Sequence, residues 1–262
     1  MQVVKRIVAA LSTAALVILG LCYVPRYVPI NYSIIPVMIL LVALVHLEFS
    51  QMVSRKHPIL VKLGVLSGVA IMLYKVYYDT DCGVVLIPVV FLLALRVLFG
   101  KFESPICALA VTLFGILYIP VMLSFFIRIP IEFGVPMLIY LIAIVKFSDM
   151  GGFALGMLFG KHKMCPKISP KKSWEGLGGS ILGACLMSAA FMPITHFALP
   201  KALAFGVAAA LIGTAGDLIE SCMKRECGVK DSATFMPAGM GGFLDMFDSL
   251  IFAPALLMPF IR

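Results

Sequence analysis

The sequence predicts an all-α, polytopic membrane fold, and three observations predict it. Hydrophobic residues make up 62% of the 262 residues while only 13% are charged, whereas soluble domains carry roughly a quarter charged residues. The mean hydropathy is +1.08. The apolar residues fall in windows of about 20, the length that carries a helix across a bilayer with its backbone hydrogen bonds satisfied internally. A soluble globular chain of this size could not cover so much apolar surface with so few charges.

Nine such windows run along the chain, near 7–24, 30–49, 59–77, 83–100, 105–126, 131–148, 176–196, 202–220 and 243–261. The first follows Lys5 and Arg6 and has the outline of a signal peptide. Its apolar stretch is long and no small-x-small cleavage site precedes Pro25, so it reads as a retained helix. The seven cysteines form no CxxC pair, which leaves neither a zinc site nor a disulfide framework indicated.

The net charge of +8 is unevenly placed. Lys5 and Arg6, then Arg55 and Lys56, then Lys101, then Lys161, Lys163, Lys167, Lys171 and Lys172 fall on one set of loops. The positive-inside rule puts that set, and the N-terminus, in the cytoplasm, together with loops 161–175 and 221–242. The far-side loops hold Arg26, Asp79, Asp81, Arg128 and Lys201. The expected address is a bacterial inner (cytoplasmic) membrane.

Two regions of different character follow. Residues 1–147 read as plain membrane helices, in which Glu48 is the main polar oddity and fits an interfacial charge at a helix end. Residues 148–262 carry the chemistry. After Asp149 comes a glycine-rich stretch with Gly151, Gly152, Gly156 and Gly160, which permits close approach of helices or ligand. Pro166 to Gly176 then interrupts the hydrophobic pattern and reads as a loop or short helix at the membrane surface. Its lysines suit either anionic headgroups or a phosphate-binding loop in which Ser169 and Ser173 add hydroxyls.

Six of the thirteen acidic residues lie between Asp217 and Asp248. A carboxylate in the middle of a spanning helix costs roughly 2.5–3.5 kcal/mol on insertion scales, so each needs a compensating partner. Asp217, Glu220, Ser221 and Lys224 recur at i, i+3, i+4 and i+7 and would share one helical face. Asp245 and Asp248 would share another. Facing acidic pairs with lysines nearby suit Mg²⁺ bridging substrate phosphates. Intramembrane salt bridges, or the ion pathway of a transporter, are the alternatives, although transport gives no reason for five lysines on the same face.

The run Ser221-x-x-Lys224-Arg225-x4-Lys230-Asp231, followed by Gly241-Gly242-x-Leu-Asp245-x-x-Asp248, resembles the signature of phosphatidate cytidylyltransferases, the CDP-diacylglycerol synthases. Gly216-Asp217 to Ser221 and the upstream stretch from Asp149 through Ile168-Ser169-Pro170-Lys171-Lys172-Ser173-Trp174-Glu175-Gly176 are similar to that family too. The resemblance covers about residues 147–252. It departs where the family pattern has His-Gly-Gly-x-x-Asp-Arg-x-Asp: Met240 and Met246 stand in place of the His and the Arg. Phe153 likewise stands where the pattern has a Tyr.

The resemblance implies transfer of CMP from CTP to phosphatidate, giving CDP-diacylglycerol and pyrophosphate. It implies Mg²⁺, with a monovalent cation such as K⁺ as an optional companion, held by Asp217 and Asp245 with Asp248 and Asp231 next. It implies Lys224, Arg225, Lys230 and Ser221 as catalytic groups around the phosphates. Lys171, Lys172, Ser169, Ser173 and Asp149 are then expected to bind substrate. CTP, phosphatidate, membrane lipids and a second copy in a homodimer are the expected partners, and nucleic acid is not. A catalytically inactive member of the family is a further reading, left open by Met240 and Met246.

Overall fold

The computed structural model describes residues 30–78, 83–100, 102–232 and 241–261. The first expected span with Lys5 and Arg6, the loop residues Asp79, Asp81 and Lys101, and Met240 lie outside the described residues. The rest is helix with one small hairpin: α1 (Ile30–Val53), α2 (Val61–Tyr77), α3 (Gly83–Leu98), α4 (Pro105–Ile116), a π-helical turn at Leu117–Val121, α5 (Phe125–Phe133), α6 (Val135–Phe159), β1 (Lys163–Cys165), β2 (Ser169–Ser173), α7 (Trp174–Ala190), α8 (Met192–Thr195), α9 (Leu199–Glu226), α10 (Phe243–Phe247) and α11 (Ala253–Ile261).

Among the described residues four helical stretches are long and apolar enough to cross a membrane: Ile35–Val53, Pro105–Phe133, Val135–Phe159 and Leu199–Glu226. Val84–Leu98 is apolar but shorter. Three boundaries differ from the hydropathy windows. The expected turn around Arg128 is helical, because Arg128 pairs with Glu132 one turn on and the chain breaks instead at Gly134, with φ +84°. The expected span 243–261 is two short helices, α10 and α11. There Asp245 accepts from the backbone N–H of Gly242, as in a capping box, at the start of α10, Asp248 accepts from the Ser249 N–H where that single turn ends, and Pro254 follows at the start of α11. The lysine loop is neither coil nor helix but an antiparallel hairpin pairing Lys163 with Ser173 and Cys165 with Ser169. Pro166 and Pro170 favour extended backbone before them, and Ile168 N–H donates to Cys165 O across the turn at 3.2 Å.

Glycines make the tightest packing, the crossing of α6 on α7. A Cβ on Gly151 would collide with the Gly179 carbonyl, and one on Gly179 with the Gly151 carbonyl. Only bare backbone lets the two helices approach this far. A polar tie sits behind the crossing. Ser188 Oγ donates to Ala202 O at 2.6 Å, so the Tyr140 hydroxyl is the donor in its 2.7 Å bond to Ser188 Oγ. That chain joins α6, α7 and α9. The core continues without a break into the N-terminal helices, where Val45, Phe49 and Ile119 pack in the same cluster as Tyr140, Ile144, Ala209 and Leu257.

Candidate active site

α9 carries the first part of the site. Its residues Glu220, Ser221 and Lys224 are buried and Asp217 is half-buried, as the i, i+3, i+4, i+7 spacing requires for one face. Gly216 lets the later segment reach that face, since a Cβ there would run into the Asp248 carbonyl. Asp217, Glu220 and Asp248 each offer a carboxylate oxygen, and the three oxygens lie within 4.8 Å of one another.

Positive charge is brought to this cluster from two sides. Alternation along β2 sends Lys171 outward, exposed, and Lys172 inward. Lys172 Nζ lies 2.7 Å from Asp217 Oδ2 and donates to Thr214 O at 3.1 Å. Lys224 Nζ sits 2.9 Å from Glu220 Oε2 and 2.5 Å from Asp245 Oδ1. The other oxygen of Asp245 accepts from Ser232 N, Ser232 Oγ and Gly242 N at 3.1, 3.1 and 2.6 Å. Asp245 and Asp248, expected on one face, therefore diverge: Asp248 joins the acidic cluster while Asp245 clamps Lys224 and the turn before α10. A single-turn helix with its first acid bound to its own cap leaves the two carboxylates facing different neighbours.

The remaining sequence-predicted residues are distributed as follows. Ser221 Oγ lies 3.5 Å from Asp217 Oδ1. Asp149 Oδ2 accepts from Ser249 Oγ at 2.8 Å, which places it beside Asp248. Arg225 is turned to the hairpin, donating to Ile168 O at 3.3 Å and to Val229 O at 3.1 Å. Ser173 caps α7, its Oγ accepting from Gly176 N at 3.1 Å. Ser169 is half-buried opposite Cys165, and Lys230 and Asp231 are exposed at the end of α9.

Three groups were not read from sequence as part of the site. Glu220 appeared there only as part of the α9 face, yet it is fully buried in the cluster. Lys146 bridges α6 to the last segment, 3.1 Å from Met246 O, 3.4 Å from Ser249 Oγ and 3.5 Å from Asp149 Oδ2; a lysine three residues before Asp149 inside an apolar run was the available signal. Glu48, expected at an interface, is fully buried and its Oε2 accepts from Leu244 N at 3.0 Å, securing α10. On the exposed side, the N–H at the start of α7 and the His162 ring, 2.6 Å away, hold the Glu175 carboxyl down to about 2.

The acidic cluster fits a divalent cation. Hard dications take carboxylate oxygens, and Glu220 Oε1 is buried with no hydrogen-bond partner among the described residues. An unpaired buried carboxylate oxygen costs more than a neutral one, and a cation bound beside Asp217 and Asp248 would satisfy it.

Residues 4–262 match the cytidylyltransferase family. The chain belongs to that family. It is 38% identical over 157 residues to a phosphatidate cytidylyltransferase of Mycobacterium bovis, covering 58% of this chain and 49% of the relative. A Staphylococcus aureus protein of the same name is 37% identical over 150 residues, covering 56% of this chain and 57% of the relative. The chain thus spans about half the length of the curated relatives it matches.

Proposed function

We propose that this chain is a phosphatidate cytidylyltransferase, forming CDP-diacylglycerol and pyrophosphate from CTP and phosphatidate. The observation that carries the reading is the Asp217–Glu220–Asp248 cluster with Lys172 and Lys224 ion-paired at its edge. In that reaction a phosphate oxygen of phosphatidate attacks the α-phosphorus of CTP, and the bond from that phosphorus to the pyrophosphate oxygen breaks. No protein nucleophile is needed. The protein brings two polyanions together and offsets their charge, by positioning and electrostatic stabilisation.

Asp217, Glu220 and Asp248 would hold Mg²⁺, with Asp149 beside Asp248. When bound, that ion neutralises developing charge on the phosphate oxygens. Asp245 serves the centre indirectly, by fixing the Lys224 ammonium. Lys172 and Lys224 offer cations at the reacting phosphates, and Ser221 a hydroxyl. Lys171, Lys230 and Arg225 are the basic groups at the exposed margin that receive the triphosphate, with Ser169 on the hairpin beneath them. Ser173 acts through the α7 cap, and the exposed Asp231 is the least engaged of the acids expected to bind metal. The lysine-rich hairpin and the α9 end lie together, which supports an active site at the cytosolic face of the membrane, where lipid acyl chains stay in the bilayer and the headgroup meets soluble CTP.

The deciding experiment is incorporation of radiolabelled CTP into chloroform-extractable lipid, with phosphatidate and Mg²⁺ each omitted in turn. Label is expected only when both are present. Label appearing without phosphatidate would refute it as the acceptor.

A further inference from the structure

The π-helical turn at Leu117–Val121 lies in the half of the chain whose sequence reads as plain membrane helix. π turns within α-helices occur often at functional sites, and this one carries Tyr118. The tyrosine is 3% exposed, and its hydroxyl is buried with no hydrogen-bond partner among the described residues. A buried hydroxyl left unpaired is costly, so its position calls for a cause.

Its surroundings supply one. The ring is held on three sides, stacked on Phe114 with centroids 5.4 Å apart and tilted against Phe49 at 6.0 Å and Phe252 at 5.6 Å. Phe252 in turn packs over Gly216, the same glycine against which the Asp248 carbonyl rests. The phenol therefore stands next to the residues flanking Asp217 and Asp248. The π turn and α9 pack together here: Phe49 and Phe114, which flank the tyrosine, line one cavity with Met223 and Glu226 of α9, within two turns of Glu220. Glu220 Oε2 is occupied by Lys224, while Oε1 is buried and unpartnered. Among the described residues a buried donor and a buried acceptor are thus both left over, on the π turn and on the α9 face packed beside it, and no hydrogen bond joins them in this structure.

We propose that Tyr118 is a positioning residue of the acidic centre, its phenol O–H turning to donate to the Glu220 carboxylate when a cation draws that carboxylate toward Asp217 and Asp248. With Lys224 on one oxygen and the phenol on the other, Glu220 would then be held at both ends, as outer-shell partners hold metal-binding side chains. The inference rests on the divalent-cation reading of the cluster proposed above.

The test compares wild-type protein and Tyr118→Phe, purified in detergent, for Mn²⁺ binding by electron paramagnetic resonance. Melting without divalent ions is followed in parallel. The Phe variant keeps the ring, and its ion-free melting is expected to match wild type while Mn²⁺ affinity falls roughly 10–100-fold. In a Glu220→Gln background, Tyr118→Phe is expected to add nothing further. Wild-type Mn²⁺ binding in Tyr118→Phe, whatever its melting temperature, overturns the proposal, and so do fully additive effects of the two substitutions. Wild-type protein that binds Mn²⁺ but transfers no CMP to phosphatidate overturns the enzymatic reading alone, and the Mn²⁺ comparison still decides Tyr118. Wild-type protein that binds no Mn²⁺ overturns both.

Discussion

Lys224 joins Glu220 to Asp245 through one ammonium, 2.9 Å from Glu220 Oε2 and 2.5 Å from Asp245 Oδ1. The bond to Glu220 is local, one turn along α9. The bond to Asp245 crosses 21 residues and ties α9 to α10. Removing one partner of a buried ion pair leaves an uncompensated charge, at a cost of about 3–5 kcal/mol. Lys224→Met is therefore expected to lower thermal and chemical stability in detergent by about that amount. Lys224→Arg, which keeps the charge, should recover part of it. A Lys224→Met protein as stable as wild type would show that the cross-link contributes little.

Asp245 and Asp248 separate two roles that their spacing alone would merge. Asp245→Asn loses the charge facing Lys224 but leaves Asp217, Glu220 and Asp248 in place. It is expected to reduce stability and turnover while Mn²⁺ binding persists within about tenfold of wild type, a factor worth roughly 1.4 kcal/mol. Asp217→Asn and Asp248→Asn remove oxygens from the cluster itself and should abolish measurable binding. Calorimetric titration of the three variants with Mn²⁺ checks the ordering. Equal loss in all three would place Asp245 among the direct ligands.

Much of this site is legible in the sequence because its local part is periodic. The α9 face follows from i, i+3, i+4 and i+7, and the expected nearness of the lysine loop to the acidic run is met by Lys172 on Asp217. What was not legible depends on long-range contacts or on competition that averaging hides. An apolar window over 243–261 cannot show that Asp245 caps a single turn at Gly242 and that Asp248 binds the Ser249 N–H where that turn ends. Glu48 looks interfacial until Leu244, 196 residues later, donates to it. Tyr118 carries no motif at all. The burial of its hydroxyl near the α9 face arises only once α9 and the π turn pack together.

The α6–α7 crossing is what brings the hairpin, and with it Lys172, to α9. Gly179 faces the Gly151 carbonyl so closely that even a methyl group would displace backbone, and backbone cannot rotate away as a side chain can. Overpacking of this kind costs typically about 1–3 kcal/mol. Gly179→Ala is expected to lower the melting temperature and Gly179→Leu to lower it further, with both losing turnover as Lys172 shifts from Asp217. Gly178→Ala is the control, since open space surrounds that position, and it should behave as wild type in both assays.

Chelation tests the acidic centre without any substitution. Three carboxylates drawn within 4.8 Å of one another repel, and among the described residues their direct ion pairs are Lys172 with Asp217 and Lys224 with Glu220. A cation that binds the folded chain and not the unfolded one stabilises it by RT ln(1 + [L]/Kd), about 2.7 kcal/mol at one hundred times Kd. Protein stripped with EDTA should therefore melt at a lower temperature than protein in saturating Mg²⁺, and the difference should grow with the logarithm of the Mg²⁺ concentration. Asp248→Asn should lose that dependence while still melting cooperatively, because its ion-free form is relieved of one repelling charge. A Mg²⁺ shift of the same size in wild type and Asp248→Asn would mean that the ion binds elsewhere on the protein.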